Sequence, residues 1–171
     1  MPPSSRFSAA RTASRPSTAP VNTAALLELL EGRELRDISV SQIATAAGVH
    51  RVSFYRSFAE KEDILREHIN VTFREWESSR TPPAQDQAMP DLFAYMARNG
   101  DFYRLLYRRG LFHLFKAVLL SNIGPKPEYS NHIAYAAAFL ANGIYGWIEE
   151  WIARGMQESP EEMAVLLQEK L

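Results

Sequence analysis

The chain has 171 residues, 46% of them hydrophobic, with no cysteine and a formal net charge of −1. That length suits one or two small domains around a proper apolar core; the missing cysteines exclude disulfides and thiolate metal sites and fit a reducing compartment such as the cytoplasm. The charge is uneven: residues 1–61 hold eight Lys/Arg against five Asp/Glu, and residues 62–171 hold 11 against 15, so the front half is the part suited to a polyanion.

Residues 1–20, MPPSSRFSAARTASRPSTAP, are rich in Ser, Pro and Ala and carry Arg6, Arg11 and Arg15 without an acid. They read as a disordered basic tail and contain no apolar stretch of signal-peptide type. From Asn22 the pattern turns helical, with Leu26, Leu29 and Leu30 at helical spacing and Gly32 as a stop. A short link, RELRDI, leads to Ser39 as an N-cap and a second helix over 40–46 with Ile43 and Ala44 facing inward. Gly48 marks a tight turn. A third helix is expected over 50–57, with Val52, Phe54 and Phe58 available to a core. A fourth over 61–79 carries the stripe Ile64, Leu65, Ile69, Phe73 and Trp76, and Pro82-Pro83 interrupt the chain after it.

The rest is helical as well, with helices expected at 87–99, 101–109, 111–122 and 129–154. The last helix starts with Ser159, Pro160 and Glu162, a capping box with proline at its first position. No strand-like alternation or internal repeat is present, so the fold class is all-α. The run IAYAAAFLANGIYGWI, residues 133–148, is 16 long and contains Asn142 and two glycines. A membrane span needs roughly 20 apolar residues, so this is a buried helix and no membrane partner is expected.

The second and third helices, SQIATAAGVHRVSFYRSF, have the spacing of a helix-turn-helix. Ala44 lets the second helix pack close, Gly48 permits the positive-φ turn, and Val49 plugs the core between the two. The second helix of such a unit lies in the DNA major groove. Arg51 can fork onto guanine, Val52 can touch a thymine methyl, and Ser53 can reach a base edge or a phosphate. Tyr55 and Ser57 can donate hydroxyls to phosphates; Lys61, Ser39 and Ser41 stand at helix starts that favour phosphate. His50 completes this set of expected DNA contacts.

The segment ISVSQIATAAGVHRVSFYRSFAEKEDIL, residues 38–65, resembles the DNA-binding signature of TetR/AcrR-type transcriptional regulators, with Ile43, Ala44, Ala47, Gly48, Val49, Phe54, Tyr55, Phe58, Lys61 and Ile64 on pattern. Glu60 departs from it, standing where a capping Ser, Asn or Asp is usual, and so does Ser41. The C-terminal stretch AAFLANGIYGWIEEWIARGMQESPEEMAVLL is similar to the dimerisation end of a subgroup that includes the DhaS-like activators. The resemblance implies a helix-turn-helix domain over 21–65, a regulatory and dimerisation domain over 66–171, and double-stranded operator DNA as a partner.

The helix at 129–154 is apolar nearly all round and so must be covered on more than one side. Ala136, Leu140, Gly143, Trp147 and Trp151, with Leu166 of the last helix, form the expected homodimer interface. Phe93, Met96, Tyr103, Tyr107, His113, Asn142 and Tyr145 are the expected lining of a small-molecule effector pocket, although aromatics at this spacing also serve as plain core. No phosphate loop, nucleophile elbow or histidine pair at metal spacing occurs, so no enzyme activity, metal or cofactor is expected. The reading is a homodimeric repressor, released by an effector from a pseudo-palindromic operator. Two readings stay open beside it: an activator of the same fold controlled by a protein co-receptor, and a helical interaction module that binds no DNA.

Overall fold

The structure, a computed structural model, describes residues 18–79 and 88–169. Among these it is all helical: α1 (Thr18–Gly32), α2 (Val40–Ala46), α3 (Arg51–Tyr55), α4 (Glu62–Ser79), α5 (Ala88–Arg98), α6 (Gly100–Arg108), α7 (His113–Ile123), α8 (Asn131–Ala153) and α9 (Pro160–Gln168), with one 3-10 turn at Leu35–Asp37. Most of the expected tail lies outside the described residues, as do the prolines after α4. Its last three residues do not: α1 begins at Thr18 and carries Pro20 in its first turn, where a missing N–H leaves no intrahelical bond unmade.

Sequence signals account for the helix ends. Ser39 caps α2 through a reciprocal pair, its hydroxyl accepting from the Gln42 N–H at 3.2 Å while the Gln42 side chain accepts the Ser39 N–H at 2.8 Å. Ser159 and Glu162 make the same box at α9. The α2 helix ends on Gly48 at φ +65, with the Val49 N–H reaching the Ala44 carbonyl at 2.9 Å and the Gly48 N–H reaching Thr45 at 3.1 Å. That pattern is the Schellman motif. A Cβ at Gly48 would meet no atom within 4 Å, so the demand for glycine there is backbone conformation and not space. Gly48→Ala is expected to cost about 1–2 kcal/mol of unfolding free energy, read as a lower denaturation midpoint at unchanged slope.

Packing follows the apolar stripes. α1 contacts α2, α3, α4 and α6; α4 contacts α7; α5 contacts α9; and α8 contacts α6 and α7. The whole α4 stripe, Ile64, Leu65, Ile69, Phe73 and Trp76, is buried, so this helix enters the core of the first helices at one end and of the body at the other. One continuous cluster of buried side chains runs from Leu26 to Leu167. The recognition unit and the body therefore share apolar packing across α4. No described helix is long and apolar enough to cross a membrane.

Candidate nucleic-acid interface

α3 is a five-residue helix held by its apolar side. Phe54 and Phe58 are buried and their rings meet at 5.6 Å. The opposite side is open. Val52 is 67% exposed and does not join the core with them, because one short helix turns only one face inward. Arg51 is exposed beside Tyr55, itself 50% exposed. Its guanidinium donates to the Tyr55 hydroxyl at 3.3 Å and lies over the ring, 5.5 Å from the centroid. His50, Ser41 and Ser57 are exposed and Ser53 is half-buried. Arg56, absent from the expected contacts, is exposed as well; its position between Tyr55 and Ser57, the two hydroxyls expected on phosphates, was the available signal.

Two of the expected contacts are already engaged within the chain. The Ser39 hydroxyl is occupied with Gln42 in the capping box. The Lys61 ammonium donates to the main-chain carbonyls of Leu35 and, at 2.9 Å, of Ile38. It therefore ties the start of α4 to the link between α1 and α2. The off-pattern Glu60 also finds an explanation. Asp63 reaches back from the first turn of α4, and one of its oxygens accepts the N–H groups of Ala59 and Glu60, each at 3.0 Å. The turn leading into α4 is thus held by a side chain of the helix itself. Accepting the Glu60 N–H, helped by the Arg66 guanidinium and the Ala59 N–H, holds the Asp63 carboxyl below its ordinary range against the opposing effect of burial. Arg66 also pairs with Glu60 at 2.5 Å, which neutralises a carboxylate next to the open face.

Comparison with known proteins fixes what this arrangement is. The pattern of the bacterial regulatory proteins of the tetR family matches residues 23–68. That of the transcriptional regulator C-terminal region of the same family matches residues 85–171, half of the chain. The chain belongs to the TetR family. It is a transcriptional regulator built from a helix-turn-helix domain and a helical C-terminal domain. No curated protein matches it in sequence. Among solved structures it is similar to the dihydroxyacetone kinase operon activator DhaS, at 18% identity and a TM-score of 0.56, over 89% of this chain and 92% of that one. It is also similar to the TetR family repressor AlkX from Dietzia sp. strain DQ12-45-1b, at 20% identity and a TM-score of 0.44, over 91% and 98%. The first likeness concerns the fold alone.

The TetR-family body places the other expected residues unevenly. Ala136, Leu140 and Gly143 lie on an exposed face of α8, with Trp147 half-buried at its edge and Leu166 of α9 exposed beside it. Trp151 does not belong to that face. It is buried, meets Phe93 edge-on at 5.6 Å, and donates its indole N–H to the Glu158 carbonyl at 3.2 Å. The chain turns at Gly155, and Met163 and Leu166 of α9 line one groove with Trp151. In its place the face carries Tyr135 and Phe139, 71% and 75% exposed. Residues 135, 139, 143 and 146 share one side of a helix, so the alignment of two aromatics with two glycines was the readable signal.

The expected pocket residues are spread over several surroundings among the described residues. Phe93, Met96 and Tyr103 are buried in the core. Asn142 is exposed and bonds its own helix at Ala138. His113 is exposed, with Nδ1 3.1 Å from the Gly110 carbonyl. Tyr103, Tyr107 and Tyr145 do gather, but around the Phe112 ring, which stacks on Tyr145 at 5.5 Å. A different polar cluster is buried where α4, α5 and α6 meet. The hydroxyl of Tyr95 lies close to those of Thr72 and Tyr103, although it makes no well-aligned hydrogen bond. Burial pushes both tyrosines above their ordinary pKa.

Proposed function

We propose that this TetR-family regulator acts in the cytoplasm as a homodimer that grips a pseudo-palindromic operator, one α3 in the major groove of each half-site, and represses transcription until an effector changes the distance between the two α3 helices. The observation that carries the reading is the pairing of two exposed surfaces. The polar side of α3, with Arg51 and Tyr55, suits a major groove. The apolar side of α8 and α9, with Phe139, Leu140, Val165 and Leu166 exposed, suits a second copy of the same chain. Residues 21–65 form the reading unit in this account and residues 66–171 the dimerising and regulatory one. The buried hydroxyls of Thr72, Tyr95 and Tyr103 are the polar groups an effector would meet, and Thr72 belongs to α4, the helix that packs on both parts of the chain.

A second reading is an activator controlled by a protein co-receptor. The ring of Phe112 among Tyr103, Tyr107 and Tyr145 favours it, since three of the expected pocket residues are spent on one another's packing. Selection of bound duplexes from a random pool tests operator and dimer together: two inverted half-sites about one helical turn apart support the proposal, and recovery of no common sequence defeats it. A reporter driven from the selected site separates the two regulators, rising on loss of the protein for a repressor and falling for an activator.

Lys61 gives a sharper test of the contact assignments. Lys61→Met is expected to weaken operator binding by loosening the link while leaving its salt dependence unchanged, because the ammonium is bound to two carbonyls. Loss of a phosphate contact would instead lower the salt slope by about one.

A further inference from the structure

We propose that Arg109 is the positioning residue that couples the helical body to the recognition unit, by holding the end of α1 in one place; this deepens the operator-binding reading above and rests on it. Arg109 follows the last residue of α6. Its position is set by a turn in which Gly110 has φ +67 and the Leu111 N–H reaches back to the Leu106 carbonyl at 2.8 Å. From there the guanidinium crosses to α1. Nε donates to the Leu30 carbonyl at 2.7 Å, Nη2 to the Glu31 carbonyl at 2.6 Å, and Nη1 to the Glu34 carboxylate at 3.0 Å. The side chain is only 21% exposed.

The chemistry is specific to arginine. The last carbonyls of a helix have no intrahelical donor and carry the negative end of its dipole. A planar guanidinium offers several donors in fixed directions, which a lysine ammonium does not. The neighbouring Arg108 makes a contrast: it meets Glu31 at 3.3 Å with both side chains mostly exposed, a pair of little worth.

The surroundings give the contact a direction. Glu34 opens the link between α1 and α2, and Lys61 binds that link's other end at Leu35 and Ile38. The link is therefore held by the body on one side and by α4 on the other. The turn that carries Arg109 continues into Phe112, which stacks on Tyr145 of α8 at 5.5 Å. Beside the apolar packing of α6 and α4 on α1, that turn gives a displacement of α8 a hydrogen-bonded route to α1, and α1 packs on α2 and α3. Coupling of this kind requires that both ends bias the same equilibrium, and Arg109 joins them by directed hydrogen bonds that the apolar packing does not supply.

The experiment selects duplexes in which the spacer between half-sites varies, with the full chain, Arg109→Met, and Arg108→Met as control. The wild type and the control are expected to prefer one spacer. Arg109→Met is expected to recover the same half-site sequence but to bind spacers of neighbouring length within about tenfold of the best. An unchanged spacer preference in Arg109→Met, or an altered half-site sequence, overturns the proposal. If Arg109→Met loses its helical signal, Glu34→Gln removes one acceptor charge and is read by the same outcomes. If the wild type itself selects no duplex, the operator reading fails, and coupling is then read by hydrogen exchange: amides of residues 33–38 exchanging at least tenfold faster in the variant, with α5 and α9 unchanged, sustain it, and equal rates refute it.

Discussion

Replacing Arg51 with alanine is expected to weaken operator binding by about 1–3 kcal/mol, roughly fivefold to 150-fold, and to relax the base preference at one position of each half-site. The side chain is exposed, and its engagement within the chain is with Tyr55, through a 3.3 Å hydrogen bond and the face of the ring. Both contacts are weak enough to exchange for a guanine edge, and the ring holds the guanidinium near the outer surface of α3. Nothing in the core depends on it, so the melting temperature is expected to stay unchanged. A mobility-shift titration at fixed salt against the selected site and its single-base variants measures both effects. Equal affinity in Arg51→Ala, or a loss spread evenly over all sequences, would remove Arg51 from the base-reading role.

Phe139→Asp is expected to have the larger effect. Phe139 is 75% exposed on α8 and absent from the buried core, so a charge there leaves the protomer folded. It would place a carboxylate from each copy in an apolar contact, which unpaired charge does not tolerate. Sedimentation should show a monomer. Operator binding should then fall by roughly 10²–10⁴, the factor lost when two linked half-site contacts become separate events. Gly143→Cys provides the complementary measurement. The chain contains no cysteine, so a disulfide-linked dimer under mild oxidation would place that turn of α8 near the two-fold axis. A Phe139→Asp variant that remains dimeric would exclude this face.

Local signals were the legible part of this structure. Ser39 with Gln42, Ser159 with Pro160 and Glu162, and Gly48 with Ala44 each lie within a few residues of one another, and each formed the cap or turn its spacing implies. The α4 stripe was readable for the same reason. Contacts between distant segments were not. Lys61 looks like a phosphate ligand until the carbonyls of Leu35 and Ile38, more than 20 residues earlier, are brought to it. Arg109 has no local signature at all, since its acceptors lie 75–79 residues away. Trp151 shares its stripe with Trp147, and the distant Phe93 ring together with the Glu158 carbonyl meets only the first of them, which is covered while the other borders the open face.

The apolar face of α8 also has a consequence for dosage. If two copies must meet before either holds DNA firmly, occupancy at low abundance follows the square of the number of molecules in the cell. A threefold change in synthesis then becomes about a ninefold change in promoter occupancy, by mass action alone. Such a regulator would switch over a narrow range of its own expression, with the steepness supplied by a greasy stripe rather than by any ligand.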